Sequence, residues 1–483
     1  MTAPHVAVLG GSVAGLLSAL AFARSGVRVT LIERDALGVP SVSDLRDPAR
    51  VERWWRKGVP HARHTHALAA LGRQLLRAHA PDVWHALLAA GAVEMPFGAQ
   101  LHGQAQVPRC DDADLAGLSV RRSLVEAVLL PIVYAEPQVS VRQRTAVTGL
   151  VLDAGGAKVR GVQTSTGEVL ADLTIDALGR GSPFAKWLHA AAVETPADSV
   201  ERCGLSYYTR WYRLRQRPSV RLEAGFSAGG HAAASGCIVC PADNGYASVT
   251  LMVAQDDKAL HAFDDPRLFV AAARQHPGLA AWLEPDVCEP VSGVLRWPVC
   301  ENRFRRFARG GQPVVLGTVA VGDALCITNP TYTRGMSLAM RYVFALAELA
   351  RAEGLQDLVR FAHRADRLAQ RLVRPWHDDS VMQDRARNAL WAGTPPAPPT
   401  TAEITLQHIA AAAGHDPLVW HALARRTGML DPPEAIFARA DVMARVQALR
   451  AQGGPPPARR PTRDDLLHLI ARHDAAPCLH PLA

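Results

Sequence analysis

The stretch "VAVLGGSVAGLLSALAFA", Val6 to Ala23, is free of charge, and "VRVTLIERD", Val27 to Asp35, follows it after only Arg24, Ser25 and Gly26. Its length reaches the lower limit of a membrane span, and a secretory leader has an apolar core of similar character. The flanks argue otherwise, because "MTAPH" lacks the Lys or Arg of a leader's n-region. The run is also divided internally. Val6–Leu9 reads as a short buried strand, Gly10-Gly11-Ser12 as a turn, and Leu16, Leu17 and Leu20 share one helical face that stops at Ser25-Gly26. "VRVTLIE" is a second strand that ends in an acid. Strand, glycine turn, helix, strand and terminal acid together predict a βαβ unit.

Such a unit binds a nucleotide when its turn meets a chemical requirement. In G-x-G-x-x-G the first glycine makes the tight turn, the second admits a pyrophosphate to the backbone N–H groups, and the third allows helix to pack on strand; a later acid binds a ribose hydroxyl. Here those positions hold Gly10, Ser12 and Gly15, with Glu33 as the acid. Serine is small, and its hydroxyl can hydrogen-bond near a phosphate or cap the helix. The pattern predicts a dinucleotide site, with a membrane segment and a ligand-free βαβ unit as the alternatives.

The chain of 483 residues is long enough for two or three domains, and its 48% apolar content is that of a globular protein. A net charge of +8 is spread along the sequence, without a dense basic run interleaved with aromatics, so nucleic acid is not an expected partner. Lys57, Lys158, Lys186 and Lys258 are the only lysines. The one C-x-x-C, Cys237 to Cys240, lies in a strand-like run without a second ligand pair, so these are structural thiols and no metal is expected. A reduced, cytoplasmic setting and no stable membrane insertion follow from cysteine usage and from the reading of the first stretch.

Two later segments could hold the rest of a dinucleotide. In "GEVLADLTIDALGRGSPFAKWL", residues 167–188, short strands lead to Asp176 and the turn Gly179-Arg180-Gly181-Ser182; a plain hairpin and loop is the other reading. In "PVVLGTVAVGDALCITNPTYTRGMSLAMRYVFALAELA", residues 313–350, a strand ends at Gly322-Asp323, a loop holds Asn329-Pro330, and a helix begins near Gly335 and Met336. An Asp at a strand end accepts from sugar or ribityl hydroxyls, and a helix N-terminus offers N–H groups to an anionic ring.

With "GVPHARHTHAL" and "SVRRSLVE" added, these segments resemble, in order, the FAD-dependent monooxygenases with the p-hydroxybenzoate hydroxylase fold. The likeness is to the bacterial tailoring branch of hydroxylases and epoxidases that serves natural-product and antibiotic biosynthesis. The resemblance implies that Gly10, Ser12 and Gly15 face the FAD pyrophosphate and Glu33 the adenosine ribose. It puts Arg122 near the cofactor, with Arg121 as a rival, Asp323 at the ribityl and pyrophosphate region, and Pro330 and Gly335 beside the isoalloxazine. Leu178 replaces the usual Thr or Ser before Gly179, and Thr333 replaces a glycine, adding bulk near the flavin. His64 and His66 are placed at the junction of cofactor and substrate domains, where they and Pro330 are the catalytic candidates. A structural role for the histidines stands beside that, and His61, His64 and His66 lack an acidic or thiol partner at metal-ligand spacing.

The expected fold is α/β. A Rossmann-type FAD domain is built from residues 1–75, 105–190 and 310–375, with an antiparallel-sheet substrate domain from 76–104 and 191–309 and a helical C-terminal extension at 376–483. Tyr207, Tyr208, Trp211 and Tyr212 alternate along the first strand of the insert. The proline-rich "GTPPAPPT" and "GGPPPARRPT" read as linkers, and His377-Asp378-Asp379 as a solvated face. The implied reaction inserts one oxygen atom from O2, as hydroxylation or epoxidation, into a small organic molecule through a C4a-hydroperoxyflavin. NAD(P)H, or reduced flavin from a partner reductase, would supply electrons. The other readings are a flavin halogenase, for which Lys57 is available but W-x-W-x-I-P is absent, an FAD-dependent reductase of prenyl-type double bonds, and a flavoprotein without catalysis.

Overall fold

The structure is a computed structural model that describes residues 3–38, 40–41, 44, 58–96, 112–216, 228–231, 234–276, 278–394, 403–452 and 460–474. Lys57, residues 97–104 and most of the two proline-rich stretches lie outside them. The chain begins with β1 (His5–Leu9), α1 (Val13–Arg24) and β2 (Arg28–Ile32), then α2 (Ala70–His79), α3 (Pro81–Ala89), α4 (Arg122–Ala135), β3 (Val139–Arg142) and β4 (Leu173–Asp176). After α5 (Phe184–Ala190) come β5 (Ser199–Leu214), β6 (Ala228–His231), β7 (Ser235–Pro241), β8 (Tyr246–Ala254), α6 (Pro266–Arg274), β9 (Cys288–Pro290) and β10 (Leu295–Phe304). The next strands are β11 (Thr318–Ala320) and β12 (Cys326–Ile327). The helices α7 (Gly335–Glu353), α8 (Leu358–Leu372), α9 (Arg374–Trp391), α10 (Leu406–Ala413), α11 (Pro417–Thr427), α12 (Ala440–Ala451) and α13 (Arg463–Asp474) follow.

The opening stretch is a strand, a turn and a helix. β1 pairs in parallel with β2, Val6 opposite Val29 and Leu9 opposite Ile32, and on its other edge with β4, Leu9 opposite Asp176. The resulting parallel sheet runs β11-β4-β1-β2-β3. Val6, Ala7, Val8 and Leu9 are all fully buried because both faces of the sheet are covered: Val6 and Val8 pack under the helices, Ala7 and Leu9 under a three-stranded antiparallel sheet from residues 147–170 and under α5, which explains a continuous rather than alternating apolar run. Leu16, Leu17 and Leu20 of α1 pack with Met340, Val343 and Leu346 of α7, and with Leu76, Val83 and Leu87 of α2 and α3. β1, β4 and β11 end side by side, so the loops after Leu9, Asp176 and Ala320 meet at one carboxyl edge. That edge is where open α/β sheets bind ligands.

The inserted sheet is antiparallel, in the order β6-β7-β8-β5-β10-β12, with β9 also on β5. Alternation along β5 divides the aromatic cluster between its two faces. Tyr208 and Tyr212 join Phe263, Phe269 and Trp282 in an outer apolar core under α6, which α13 completes with Leu466. Tyr207 and Thr209 face the other way and reach the cavity described below. Trp211 donates from Nε1 to the carbonyl of Arg63 at 2.7 Å, tying the sheet to the histidine segment. α10, α11 and α12 form their own small core around Ile409, Val419 and Val446. Among the described residues no helix is long and apolar enough to cross a membrane.

Candidate active site

One cavity of about 600 Å³ extends from the carboxyl edge of the parallel sheet to the inward face of the inserted sheet. At the first end the backbone sets its shape. Gly10 has φ +101°, and a Cβ there would stand 2.6 Å from the Ala177 carbonyl oxygen; a Cβ on Gly15 would stand 1.7 Å from the Gly10 oxygen. α1 therefore starts directly against β1. It has no acid in its first turn and no side-chain cap, so its leading N–H groups are open to an anion.

The side chains here differ from the simple expectation. Glu33 accepts from the N–H of Gly11 at 2.7 Å and of Asp35 at 2.9 Å, so its carboxylate already braces the glycine loop. Ser12 does not cap the helix. Its hydroxyl donates to Glu126 Oε1 at 2.6 Å and accepts from Arg122 Nη2 at 2.6 Å, while Arg122 Nη1 donates to His61 Nε2 at 3.1 Å. The two adjacent arginines have separate tasks: Arg122 lines the cavity, whereas Arg121 is buried against Asp243 at 2.7 Å and fastens α4 to the inserted sheet.

On the loops beside it, Asp176 accepts from Leu178 N–H at 3.0 Å and from the Ser182 hydroxyl at 2.6 Å. Burial nonetheless outweighs those donors and pushes its carboxyl up to about 6. Asp323 lines the cavity, and its carboxylate has no hydrogen bond or ion pair to another side chain among the described residues. Arg305 braces that loop instead, donating from Nη1 to the Asp323 and Ala324 carbonyls at 2.9 Å.

The three histidines line the middle of the cavity. Enclosure pushes His61 well down from its ordinary value, His64 to about 4 and His66 to about 3, so all three are neutral at pH 7. Their hydrogen bonds then assign the tautomers. Arg122 can only donate, so His61 Nε2 is the acceptor nitrogen. His66 Nδ1 lies 2.9 Å from the His64 carbonyl, so it carries the proton there and keeps Nε2 as an acceptor.

His64 is fixed by a ladder of hydroxyls, Thr209, Thr250 and Ser248 on the inserted sheet and Thr65 beside His64 itself. Ser248 donates to the Cys240 carbonyl at 3.4 Å, and Thr65 donates to Ser248 at 2.8 Å. Each hydroxyl has one hydrogen, so Thr250 must donate to Thr65 at 2.7 Å and Thr209 to Thr250 at 2.9 Å. Thr209 then accepts from His64 Nδ1 at 3.0 Å, which leaves His64 Nε2 unprotonated. Among the described residues no group of these side chains could hold a metal ion.

The loop from Asn329 to Thr333 is held from behind by α9. Asp384 is fully buried and accepts from Asn302 at 2.7 Å, Asn329 at 2.6 Å and Tyr332 at 2.9 Å, and it pairs with Arg387. Asp379 pairs with Arg334, and also with Arg426 from α11. The expectation of a solvated His377-Asp378-Asp379 face is thus corrected: His377 and Asp379 are buried, and only Asp378 faces outward. The apolar spacing of α9 could not disclose this, since the partners lie on loops distant in sequence. Thr333 takes φ 56°, ψ 35°, a left-handed conformation that suits glycine, and lines the cavity with Pro330, Gly335 and Met336. α7 again begins without a side-chain cap or an acid in its first turn.

The sequence matches the FAD binding domain family over residues 4–373. The chain belongs to that family. It is similar to protein Rv3254 of Mycobacterium tuberculosis, with 28% identity over 365 residues, 69% of this chain and 70% of that protein. Among solved structures it is similar to p-nitrophenol 4-monooxygenase PnpA of Pseudomonas putida, at TM-score 0.58 and 16% identity over 89% of this chain and 98% of that one. It is also similar to the myxobacterial chondrochloren halogenase CndH, at TM-score 0.56 and 17% identity over 96% and 99% of the two chains. At these identities the structural likeness speaks for the fold. The implied α/β fold and the FAD-dependent oxidoreductase family are borne out.

The residues present fit FAD. An uncapped helix start behind a glycine cradle that a Cβ would fill suits a pyrophosphate, and Asp323 offers an unengaged acceptor to hydroxyls. Gly10, Ser12, Glu33, Arg122, Asp323, Pro330 and Gly335 all line the same cavity, and Gly15 packs directly behind it.

Proposed function

We propose that the protein is a flavin monooxygenase that inserts one oxygen atom from O2, as hydroxylation or epoxidation, into a small organic substrate held under the inserted sheet. One observation carries this reading: the glycine-loop end and a chamber whose walls include Ile238, Trp297 and Ile327 are parts of one cavity. FAD, when bound, supplies the activation of O2 and the transfer of oxygen. The first turn of α1 would hold the pyrophosphate, Glu33 the adenosine ribose, and Arg122 and Asp323 the phosphate-to-ribityl stretch. Pro330 and Gly335 would flank the ring, and the uncapped start of α7 would stabilise negative charge on it. The apolar walls exclude water, which protects a reactive oxygen donor. His64 and His66, both neutral with Nε2 as an acceptor, would accept a hydrogen bond from the substrate. Five cysteines among the described residues are free and buried, which accords with a reduced cytoplasm.

Electrons come from NAD(P)H bound transiently or from a partner flavin reductase. FAD-loaded protein supplied with NADPH, with and without added reductase, under isotopically heavy O2, tests the whole reading with naphthol and styrene as probes. Product bearing one heavy oxygen atom is expected. A brominated product in the presence of bromide would instead establish a halogenase, and product that forms without O2 a reductase.

A further inference from the structure

Among the described residues four arginines line the cavity: Arg34, Arg122, Arg180 and Arg334. Three have a carboxylate beside them, Arg34 with Asp35 at 3.9 Å, Arg122 with Glu126 at 3.2 Å and Arg334 with Asp379 at 2.5 Å. Arg180 has none among the described residues, and its buried Nε makes no hydrogen bond. Its guanidinium carbon lies 4.9 Å from the centre of the Trp297 ring. Trp297 is the cross-strand neighbour of Tyr207 and stacks on His61 at 5.6 Å.

The loop that carries Arg180 is rigidly placed. Asp176 binds both the Leu178 N–H and the Ser182 hydroxyl, on either side of Arg180, and Arg305 Nη2 donates to the Arg180 carbonyl at 2.7 Å. A cation fixed in an enclosed space without a counter-ion is costly, and an incoming anion offsets that cost. The neighbouring imidazole of His61 is neutral, so it does not supply the missing charge. Side-chain contacts lead from Ser12 to the Arg180 guanidinium through Arg122, His61 and Trp297 in turn.

We propose that Arg180, seated on Trp297, receives an anionic oxygen group, carboxylate or phosphate, of a second ligand that shares the cavity with the flavin. The inference rests on the monooxygenase reading for the presence of that ligand. Two sources carry such a group, an organic-acid substrate and the phosphates of a nicotinamide dinucleotide, and they separate in one experiment. FAD-loaded wild-type protein, Arg180→Gln and Arg180→Lys are titrated with benzoate, naphthoate and octanoate and with the matching primary amides, following the flavin spectrum. The KM of NADPH for flavin reduction is measured on the same samples.

Wild-type protein is expected to prefer at least one carboxylate to its amide, or to reduce its flavin with saturable NADPH. Arg180→Gln weakens that binding roughly tenfold or more, as expected for a charged hydrogen bond in an enclosed site. Arg180→Lys recovers only part of it, because an ammonium cannot reproduce the planar stack on Trp297. A change confined to the carboxylates assigns the site to substrate; a change confined to NADPH assigns it to the dinucleotide. No change in either arm, or a matching loss of FAD affinity in Arg180→Gln, overturns the proposal. Carboxylate preference without any oxygenated product would overturn the monooxygenase reading and leave this site standing, and the opposite result would do the reverse.

Discussion

At the glycine-loop end of the cavity the limiting contacts are between backbone atoms, as where Gly15 meets the Gly10 carbonyl; at the inserted-sheet end they are between side chains, in the ladder from His64 to Cys240. The first end tolerates almost no added atom. The second is assembled from hydroxyls, each of which could be exchanged singly without moving the chain. Cofactor retention should therefore fail through changes at the first end, and proton handling through changes at the second.

The largest expected effect is Gly15→Ala. A methyl placed 1.7 Å from a main-chain oxygen forces α1 away from β1, and overpacking of this kind costs about 3 kcal/mol. Urea unfolding should show the loss, together with protein that purifies without flavin. If Gly15→Ala keeps both stability and flavin, the backbone does not limit this end. Asp323→Ala comes next, because it removes an acceptor that no side-chain donor among the described residues satisfies. The fold should persist while FAD affinity falls roughly tenfold or more; an unchanged flavin content would remove Asp323 from the site.

The same contrast explains what could be read from the sequence. Val6–Leu9, Gly10, Gly15 and Glu33 were legible because strand burial and glycine geometry act locally, at fixed spacing. Asp323 and Gly335 were legible for the same reason, each marking the end of one element or the start of another. The task of Ser12 was not, since its partners Arg122 and Glu126 lie on α4, over a hundred residues away. Asp379 was misread as part of a solvated face because its arginine partners, Arg334 and Arg426, come from other segments. Domain-level order can be inferred from motif order, but the pairing of buried charges is a tertiary fact.

At the sheet end, Thr250→Val cuts the hydroxyl ladder in its middle. Thr209 and Thr65 lose a partner, at a cost of about 1–2 kcal/mol, while flavin content should stay that of wild type and the yield of oxygenated product should fall. The histidines add a pH signature. His64 at about 4 and His66 at about 3 lie below the ordinary 6.5, so their contribution is present above pH 6.5 and is lost as pH falls toward 4 and 3. Asp176 acts in the opposite sense: raised from 3.8 to about 6, it contributes most below pH 3.8 and loses that contribution as pH rises through 6. Urea titrations across this window should show stability falling on acidification, less steeply in His64→Gln and more steeply in Asp176→Asn. Unchanged slopes in both variants would mean that neither group is held in the protonation state described.

The smallest effect is expected from Ser12→Gly, at the boundary between the two kinds of control. Its position belongs to the backbone cradle, but its hydroxyl belongs to a side-chain network, held between Glu126 and Arg122 at 2.6 Å each. Arg122 and Glu126 remain paired with each other at 3.2 Å without it. A glycine there restores the nucleotide pattern while removing one hydrogen-bonding partner from each of two groups that stay paired, so FAD affinity by flavin titration should shift by less than about threefold. A larger loss would mean that the Ser12 hydroxyl turns from Glu126 to the cofactor, and that the glycine-loop end also depends on side-chain chemistry.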